Sequence, residues 1–374
     1  MPVETRVVTT RRDLKRFVNF PFRLYADCPQ WVPQIVSDEL RTLSADRNPA
    51  FDYCRARYWL AYREGRVVGR IAAIINERYI EKWQNKYARF GWVDFADDQE
   101  VSAALFGAVE EWAAAEGMTG VHGPMGFTDL DAEGLLIEGF EEMGTLTDPY
   151  TYHYYPDHLE SLGYRKDIDW VEYEVLTPDA IPEKALRVGS LILKRYGLRL
   201  VPARKSKQLL PYAHQVFDLI NEAYAHLYGT VELTTRQVDA YINQYFGFID
   251  PRFNKVIVDA DDRVVAFGLI LPSLSQALRK AHGRLLPFGF IHLLRAFRRP
   301  RTLNMALIAV RPDFQGRGIP ALLFAEVTQA AIENGVVSAE TGRELEDNVQ
   351  VRSLWKSYTA RQHKRRRVYL KELA

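Results

Sequence analysis

The chain has 374 residues, 47% hydrophobic and 26% charged, a globular composition that excludes wholesale disorder and a fibrous repeat. Its 49 Lys and Arg stand against 48 Asp and Glu, a net charge of +1, so no global polycation exists and no nucleic-acid partner is expected. Two cysteines, Cys28 and Cys54, exclude a disulfide framework or a Cys-rich zinc site and fit a reducing compartment.

The N-terminal MPVETRVVTTRRDLKRF lacks an apolar h-region, and no stretch of about 18 consecutive apolar residues occurs. The expectation is a cytoplasmic protein without a spanning helix. Helical periodicity covers 11–25 and continues towards residue 43. A hairpin follows, with strands 58–63 and 67–75 joined through Gly65. Next come the strand beginning at Gly91, a polar turn, and helix 101–116 ended by Gly117.

The same order returns downstream. Helices over 209–228 and 235–246 precede a hairpin of 255–259 and 264–271. A strand beginning at Asn304 then leads into helix 321–334, ended by Gly335. The expected fold is therefore α+β, with two tandem units, each a mostly antiparallel twisted sheet flanked by helices. Residues 1–178 are assigned to the first unit, 179–197 to a linking segment whose helix is 183–196, and 198–374 to the second unit.

The strongest motif runs Val310-Arg311-Pro312-Asp313-Phe314-Gln315-Gly316-Arg317-Gly318-Ile319-Pro320-Ala321. A strand ends, two glycines permit positive φ, and an apolar helix begins. The N–H groups and dipole at its N-terminus suit an anion such as pyrophosphate. Arg311 and Arg317 add positive charge beside it.

This segment resembles the coenzyme-A loop of the GCN5-related N-acetyltransferase (GNAT) superfamily, Gln/Arg-x-x-Gly-x-Gly/Ala, with Gln315 and Gly318 in place and Pro320 as a departure. The resemblance implies that Ala309 and Val310 align an acyl-CoA arm as an added strand. It also implies that Gln315, Gly316, Arg317, Gly318, Ile319, Pro320 and Ala321 hold the pyrophosphate. Asn348, in Glu346-Asp347-Asn348, is similar to the family's Asn-bearing helix and would orient the cofactor. The family's Tyr seven residues on is Trp355 here, so Tyr358 becomes the candidate acid. Glu138 or Asp129 is the candidate base, among apolar neighbours that would raise its pKa, and His153 a candidate relay. The first unit's matching turn, Ala96-Asp97-Asp98-Gln99-Glu100, has three acids and no glycine, so that unit reads as a degenerate copy. No metal constellation appears, and none is expected.

Charge is segregated. From Arg263 to Pro312 there is no Asp or Glu, where the chain's average would place about six, yet the stretch carries nine basic residues. Within it, the insert 273–302 has an apolar stripe of Phe290, Leu293, Leu294 and Phe297, with Arg295, Arg298, Arg299 and Arg301 towards one end. A basic amphipathic helix of this kind suits an anionic membrane surface, on the inner face of the cytoplasmic membrane. A helix packed on the protein and a nucleic-acid patch are the alternatives. The basic run Arg361, Lys364, Arg365, Arg366 and Arg367 extends the positive face or meets the 3′-phosphate of coenzyme A.

The Gly-, Pro- and Tyr-rich passage 123–175, the tandem layout and the RRRVY ending resemble the bacterial ceramide-synthase-like branch of GNAT proteins. That implies N-acylation of a sphingoid base, a lipid-like amine, by a fatty acyl-CoA. Other readings are a GNAT acetyltransferase on a soluble amine, a Fem-like aminoacyl-tRNA-dependent transferase, and a non-catalytic acyl-CoA sensor or regulator.

Overall fold

The computed structural model describes residues 2–181, 183–348 and 354–373. In chain order the first elements are β1 (Glu4–Val7), α1 (Arg11–Leu24), α2 (Val36–Thr42), β2 (Cys54–Arg63), β3 (Arg66–Asn76), α3 (Glu77–Trp83), β4 (Tyr87–Phe95) and α4 (Gln99–Ala115). Then come β5 (Gly120–Gly123), β6 (Leu135–Glu138), α5 (Tyr155–Ser161) and β7 (Arg165–Leu176). The later elements are α6 (Glu183–Tyr196), β8 (Arg199–Leu200), α7 (Ala213–Tyr224), α8 (Thr235–Tyr245), β9 (Lys255–Val258), β10 (Val264–Pro272), α9 (Ser275–Ala281) and α10 (Gly289–Arg298). The last are β11 (Thr302–Val310), α11 (Ile319–Glu333), β12 (Ser338–Thr341), β13 (Glu344–Leu345) and β14 (Ala360–Glu372).

Two compact units result, neither contiguous in sequence. One comprises 1–171, 274–293 and 363–374; the other comprises 172–273 and 294–362. The chain-order division expected above differs at the boundary, where 172–178 and the linking segment 179–197 fall in the second unit, and in two further places. The first part of the insert and the C-terminal strand both belong with the first unit. Ser275 on α9 donates to Gly144 O (3.1 Å), and Gly283 O accepts from Val36 N–H (3.1 Å). A Cβ on Gly283 would meet Gln34 O at 2.3 Å, so only glycine permits this approach.

In the first unit, β1-β2-β3-β4 is antiparallel and β4-β5 parallel. Alternation along β3 builds a core on each face. Ile71, Ala73 and Ile75 meet Leu105, Phe106 and Val109 of α4, while Ala72 and Ile74 meet Phe17, Val18 and Leu43. The β2–β3 turn places Glu64 (φ 51°) and Gly65 (φ 73°) in the left-handed region, as a two-residue hairpin requires.

The second unit repeats this plan. Strand β10 pairs antiparallel with β9 and β11, and β11 pairs parallel with β12. Val256, Val258 and Phe267 pack with Leu219 and Ile220 of α7; Ile257, Val265 and Val310 pack with Ile319, Leu322 and Leu323 of α11. Each fully buried Leu, Ile or Phe contributes about 2 kcal/mol. Helices α4 and α11 both stop just before a glycine at positive φ, Gly117 (77°) and Gly335 (68°).

Candidate active site

The glycine motif is a tight turn at the junction of β11 and α11. After Val310 the chain makes a short 3-10 turn, Pro312–Phe314, and Gln315 ties it back by donating from Nε2 to Val310 O (3.3 Å). Gly316 (φ 71°) and Gly318 (φ 77°) follow in the left-handed region. A Cβ on Gly316 would meet nothing within 4 Å, so the space above the turn is open. Ile319, fully buried, anchors the helix start, and Pro320 in the first turn gives up an N–H that has no intrahelical partner. No side chain caps α11. Its first N–H groups are left for an external acceptor.

The first unit treats the same junction differently. Asp98 caps α4, accepting from Glu100 N–H (3.0 Å), and Arg63 pairs with both Asp98 (2.9 Å) and Glu100 (2.7 Å). A carboxylate already occupies the anion position there.

The two arginines of the second turn have separate fates. Arg311 is consumed by Asp313 (2.8 Å) and Asp259 (3.1 Å), so it clamps the turn and is not the spare cation expected from sequence. Arg317 is exposed and makes no ion pair among the described residues; its guanidinium lies 4.9 Å from the ring centres of both Tyr196 and Phe314.

Beside the turn lies a strand edge. Pairing of β11 with β12 stops at Met305 opposite Thr341, after which Gly342 N–H still reaches Met305 O (2.8 Å). From Ala306 to Val310, β11 is paired on one side only, with β10, among the described residues. A register shift sets Leu269 opposite Leu307 but Ile270 opposite Met305, leaving Ala306 as the extra residue of a bulge. In the first unit the segment after β5 stays against β4: Met125 N–H donates to Phe90 O (2.8 Å), and a Cβ on Gly91 would meet Met125 O at 2.5 Å.

The remaining candidates are scattered. Asn348 ends the turn after β13, its N–H on Leu345 O (3.0 Å). The helix expected to carry it falls partly on 349–353, outside the described residues. Trp355 is a core residue, 6% exposed, donating from Nε1 to Glu344 (2.8 Å) and edge-on to Phe324 of α11. Tyr358 does not ride one helical turn beyond it. It closes the 3-10 turn Trp355–Ser357 in extended conformation, half-buried, 6.4 Å ring to ring from Trp355.

Glu138, Asp129 and His153 belong to the first unit. Glu138 lies exposed against Arg365 (3.1 Å) and not among the apolar neighbours expected. Asp129 is half-buried in a loop before β6. His153 is exposed, edge-on to Phe140 and Tyr154. Nearby, Ser102 Oγ sits 2.8 Å from His158 Nδ1, and His158 Nε2 sits 3.0 Å from Asp97. This serine is 1% exposed, so the trio ties α5 to α4 and offers no nucleophile to solvent.

A carboxyl that sequence reading passed over is Glu39. Burial pushes its pKa up to about 7, against the nearby Arg70 charge and the Trp92 Nε1 hydrogen bond (2.7 Å). The sequence signal was its place four residues from both Ile35 and Leu43, the buried residues that flank α2.

The basic C-terminal run is also redirected. Arg366, fully buried, donates to Pro149 O (2.8 Å) and Asp148 O (3.0 Å). Arg367 binds Asp169 (2.8 Å), Arg361 binds Glu174 (2.8 Å), and Lys364 is buried. The run builds β14 and neither extends a positive face nor offers charge to a phosphate.

The insert behaves differently. Helix α10 buries Leu293, sets Phe297 against Phe248, and holds Phe297 O with Arg252 (2.8 Å). Phe290, Ile291 and Leu294 face outwards, continuing the exposed Leu286 (79%) and Phe288 (71%) before them. Arg284, Arg295, Arg298, Arg299 and Arg301, in the same stretch of chain, are exposed and make no ion pair among the described residues. No helix among the described residues is long and apolar enough to cross a membrane.

Two mixed α/β units in tandem, each with a bulged strand leading through a turn into a helix, have the fold of the tandem GNAT proteins. A tandem GNAT protein from the clavulanic acid biosynthesis pathway superimposes with a TM-score of 0.58 at 13% identity, over 99% of this chain and 98% of that one. A GCN5-related N-acetyltransferase from Sphaerobacter thermophilus gives 0.52 at 14% identity, over 99% and 95%. In sequence, the chain is 29% identical to Protein YghO of Escherichia coli (strain K12) over 98% of this chain and 95% of that protein. It is also 29% identical to the bacterial ceramide synthase of Caulobacter vibrioides, over 98% and 96%. No family model matches.

Proposed function

We propose that this protein is an acyl-CoA-dependent N-acyltransferase that transfers a fatty acyl group to a long-chain amine, a sphingoid base, collected from an anionic membrane surface. The observation that carries the acyl-CoA reading is the uncapped, glycine-opened start of α11 beside the one-sided end of β11. The turn from Gln315 to Ala321 offers N–H groups to the pyrophosphate, Arg317 adds a cation with no ion pair among the described residues, and Ala309 and Val310 offer a strand edge to the acyl arm. In the reaction the neutral amine nitrogen bonds to the thioester carbonyl carbon, the C–S bond breaks, the nitrogen gives up a proton, and the sulfur receives one. Tyr358 is the candidate donor of that proton, and Asn348 the residue that orients the cofactor. The first unit, with Asp98 in the anion position, is a copy kept for architecture or for the acceptor.

The lipid acceptor rests on the outward face of the insert and on the ceramide synthase named among the relatives. Five exposed large apolar side chains lie between residues 286 and 294, in a stretch whose exposed arginines make no ion pair among the described residues. Each basic residue near an anionic surface contributes about 1 kcal/mol. The test is purified protein with palmitoyl-CoA and a long-chain amino alcohol in anionic vesicles, read by thiol release and by mass spectrometry of the amide. Amide formation that falls when Arg295, Arg298 and Arg299 become Glu supports the reading. Thiol release with a water-soluble amine and no lipid amide leaves acyl transfer standing and removes the lipid acceptor.

A further inference from the structure

The exposed half of β11 has one partner that sequence did not announce. Tyr224, the last residue of α7, sets its hydroxyl against Ile308, donating to Ile308 O (2.8 Å) and accepting from Ile308 N–H (3.3 Å). One hydroxyl thus serves both peptide groups of a residue, as a neighbouring strand would. Burial pushes the phenol pKa up to about 12, so it is a neutral donor and acceptor throughout the physiological range.

The first unit holds an instructive counterpart. Laying Gly91 beside Asn304 sets Phe95 opposite Ile308. Phe95 N–H donates to Tyr155 O–H (3.1 Å), and Phe95 O accepts from Tyr154 O–H (2.5 Å). There two hydroxyls do the work, and they are locked. Tyr155 is fully buried, stacks on Phe95 at 4.4 Å, and its hydroxyl also lies 3.0 Å from that of Tyr25. Tyr224 packs its ring on the core beside Leu219 and Phe267, but its hydroxyl has no such further partner. It is half-buried, at the end of its helix, and its hydroxyl makes only the two bonds to Ile308 among the described residues.

We propose that Tyr224 is a displaceable stand-in for the acyl-CoA arm, closing the edge of β11 when the site is empty and yielding Ile308 when the arm pairs there. This rests on the acyl-CoA reading above. The fixed tyrosines on Phe95 are then what keeps the first unit from loading, together with the carboxylate of Asp98.

Tyr224→Phe removes the competing hydroxyl and keeps the ring. Coenzyme-A affinity, measured by calorimetry on the full chain, is expected to tighten about fivefold, the worth of roughly one net hydrogen bond. Hydrogen exchange of peptides covering β11 is expected to quicken in the variant without coenzyme A and to become equal to wild type with it. Unchanged or weaker affinity in the variant overturns the stand-in role, and unchanged exchange without ligand overturns the Ile308 contact itself. Absence of binding by wild type is a distinct result: it removes the acyl-CoA reading, and the role of Tyr224 with it, whatever the exchange shows.

Discussion

Gly318 separates charge from shape at the proposed pyrophosphate site. Its φ of 77° costs a residue with a Cβ about 1–2 kcal/mol. The added carbon would meet Ile192 Cδ1 at 3.0 Å, the movable end of a side chain. Both penalties fall on free and loaded protein alike. Gly318→Ala should therefore lower stability by about 1–2 kcal/mol and leave the Kd for coenzyme A within about fivefold. Gly318→Asp adds a negative charge beside the proposed phosphates, taken at a separation of about 6 Å. At an effective dielectric of 20–40 this costs about 1.5–3 kcal/mol per phosphate charge. Coenzyme-A binding should weaken at least about a hundredfold. Calorimetry of both variants at low and high salt reads the difference, with high salt narrowing the gap for Asp. Equal effects of Ala and Asp, or an unchanged Kd for Asp, would refute the assignment of this turn to an anion.

Four further outcomes are expected. Glu39 has a folded pKa near 7, above its ordinary 4.5, so the native state holds the extra proton. Its contribution is full below about pH 4 and is lost as pH rises through 7, a change of about 3 kcal/mol. Urea denaturation at pH 5 and pH 8 should show that slope in wild type and lose it in Glu39→Gln. Asp169, 1% exposed and bonded to Arg367 and Lys166, is held below the usual carboxylate range by those bonds, against its burial. Its stabilisation is present at neutral pH and lost as pH falls through that depressed pKa, and Asp169→Asn should cost about 3 kcal/mol by chemical denaturation at pH 7. Tyr358→Phe should lower kcat at least about tenfold with KM nearly unchanged; an unaltered kcat excludes it as the acid. Changing Arg295, Arg298 and Arg299 to Glu should abolish sedimentation with anionic vesicles and leave the melting temperature within a few degrees.

Local chemistry made much of the fold readable. Positive-φ glycines end α4 and α11, the hairpin turn lies at Gly65, and α6 runs over the residues that patterning indicated. The turn from Gln315 to Ala321 was legible because glycines, a strand end and an apolar helix follow one another within a few residues. What escaped depends on distant partners. Arg366 reads as surface charge until β14 brings it to the carbonyls of Asp148 and Pro149, more than two hundred residues away. Arg311 reads as a free cation until Asp259 meets it. The amphipathic pattern of the insert predicted one apolar stripe, yet packing divides it: Leu293 faces inwards and Phe290 and Leu294 outwards. Chain order also says nothing about which half an insert docks on, so the place of α9 in the first unit was invisible.

The central claim is that the protein joins a fatty acyl group from acyl-CoA to a lipid amine. Mass spectrometry of total lipid from cells with and without the gene tests it most directly. Without the gene a long-chain amide-linked lipid is expected to disappear and its free amine to accumulate, with rescue by wild type and none by Gly318→Asp. An unchanged set of amide-linked lipids would contradict it.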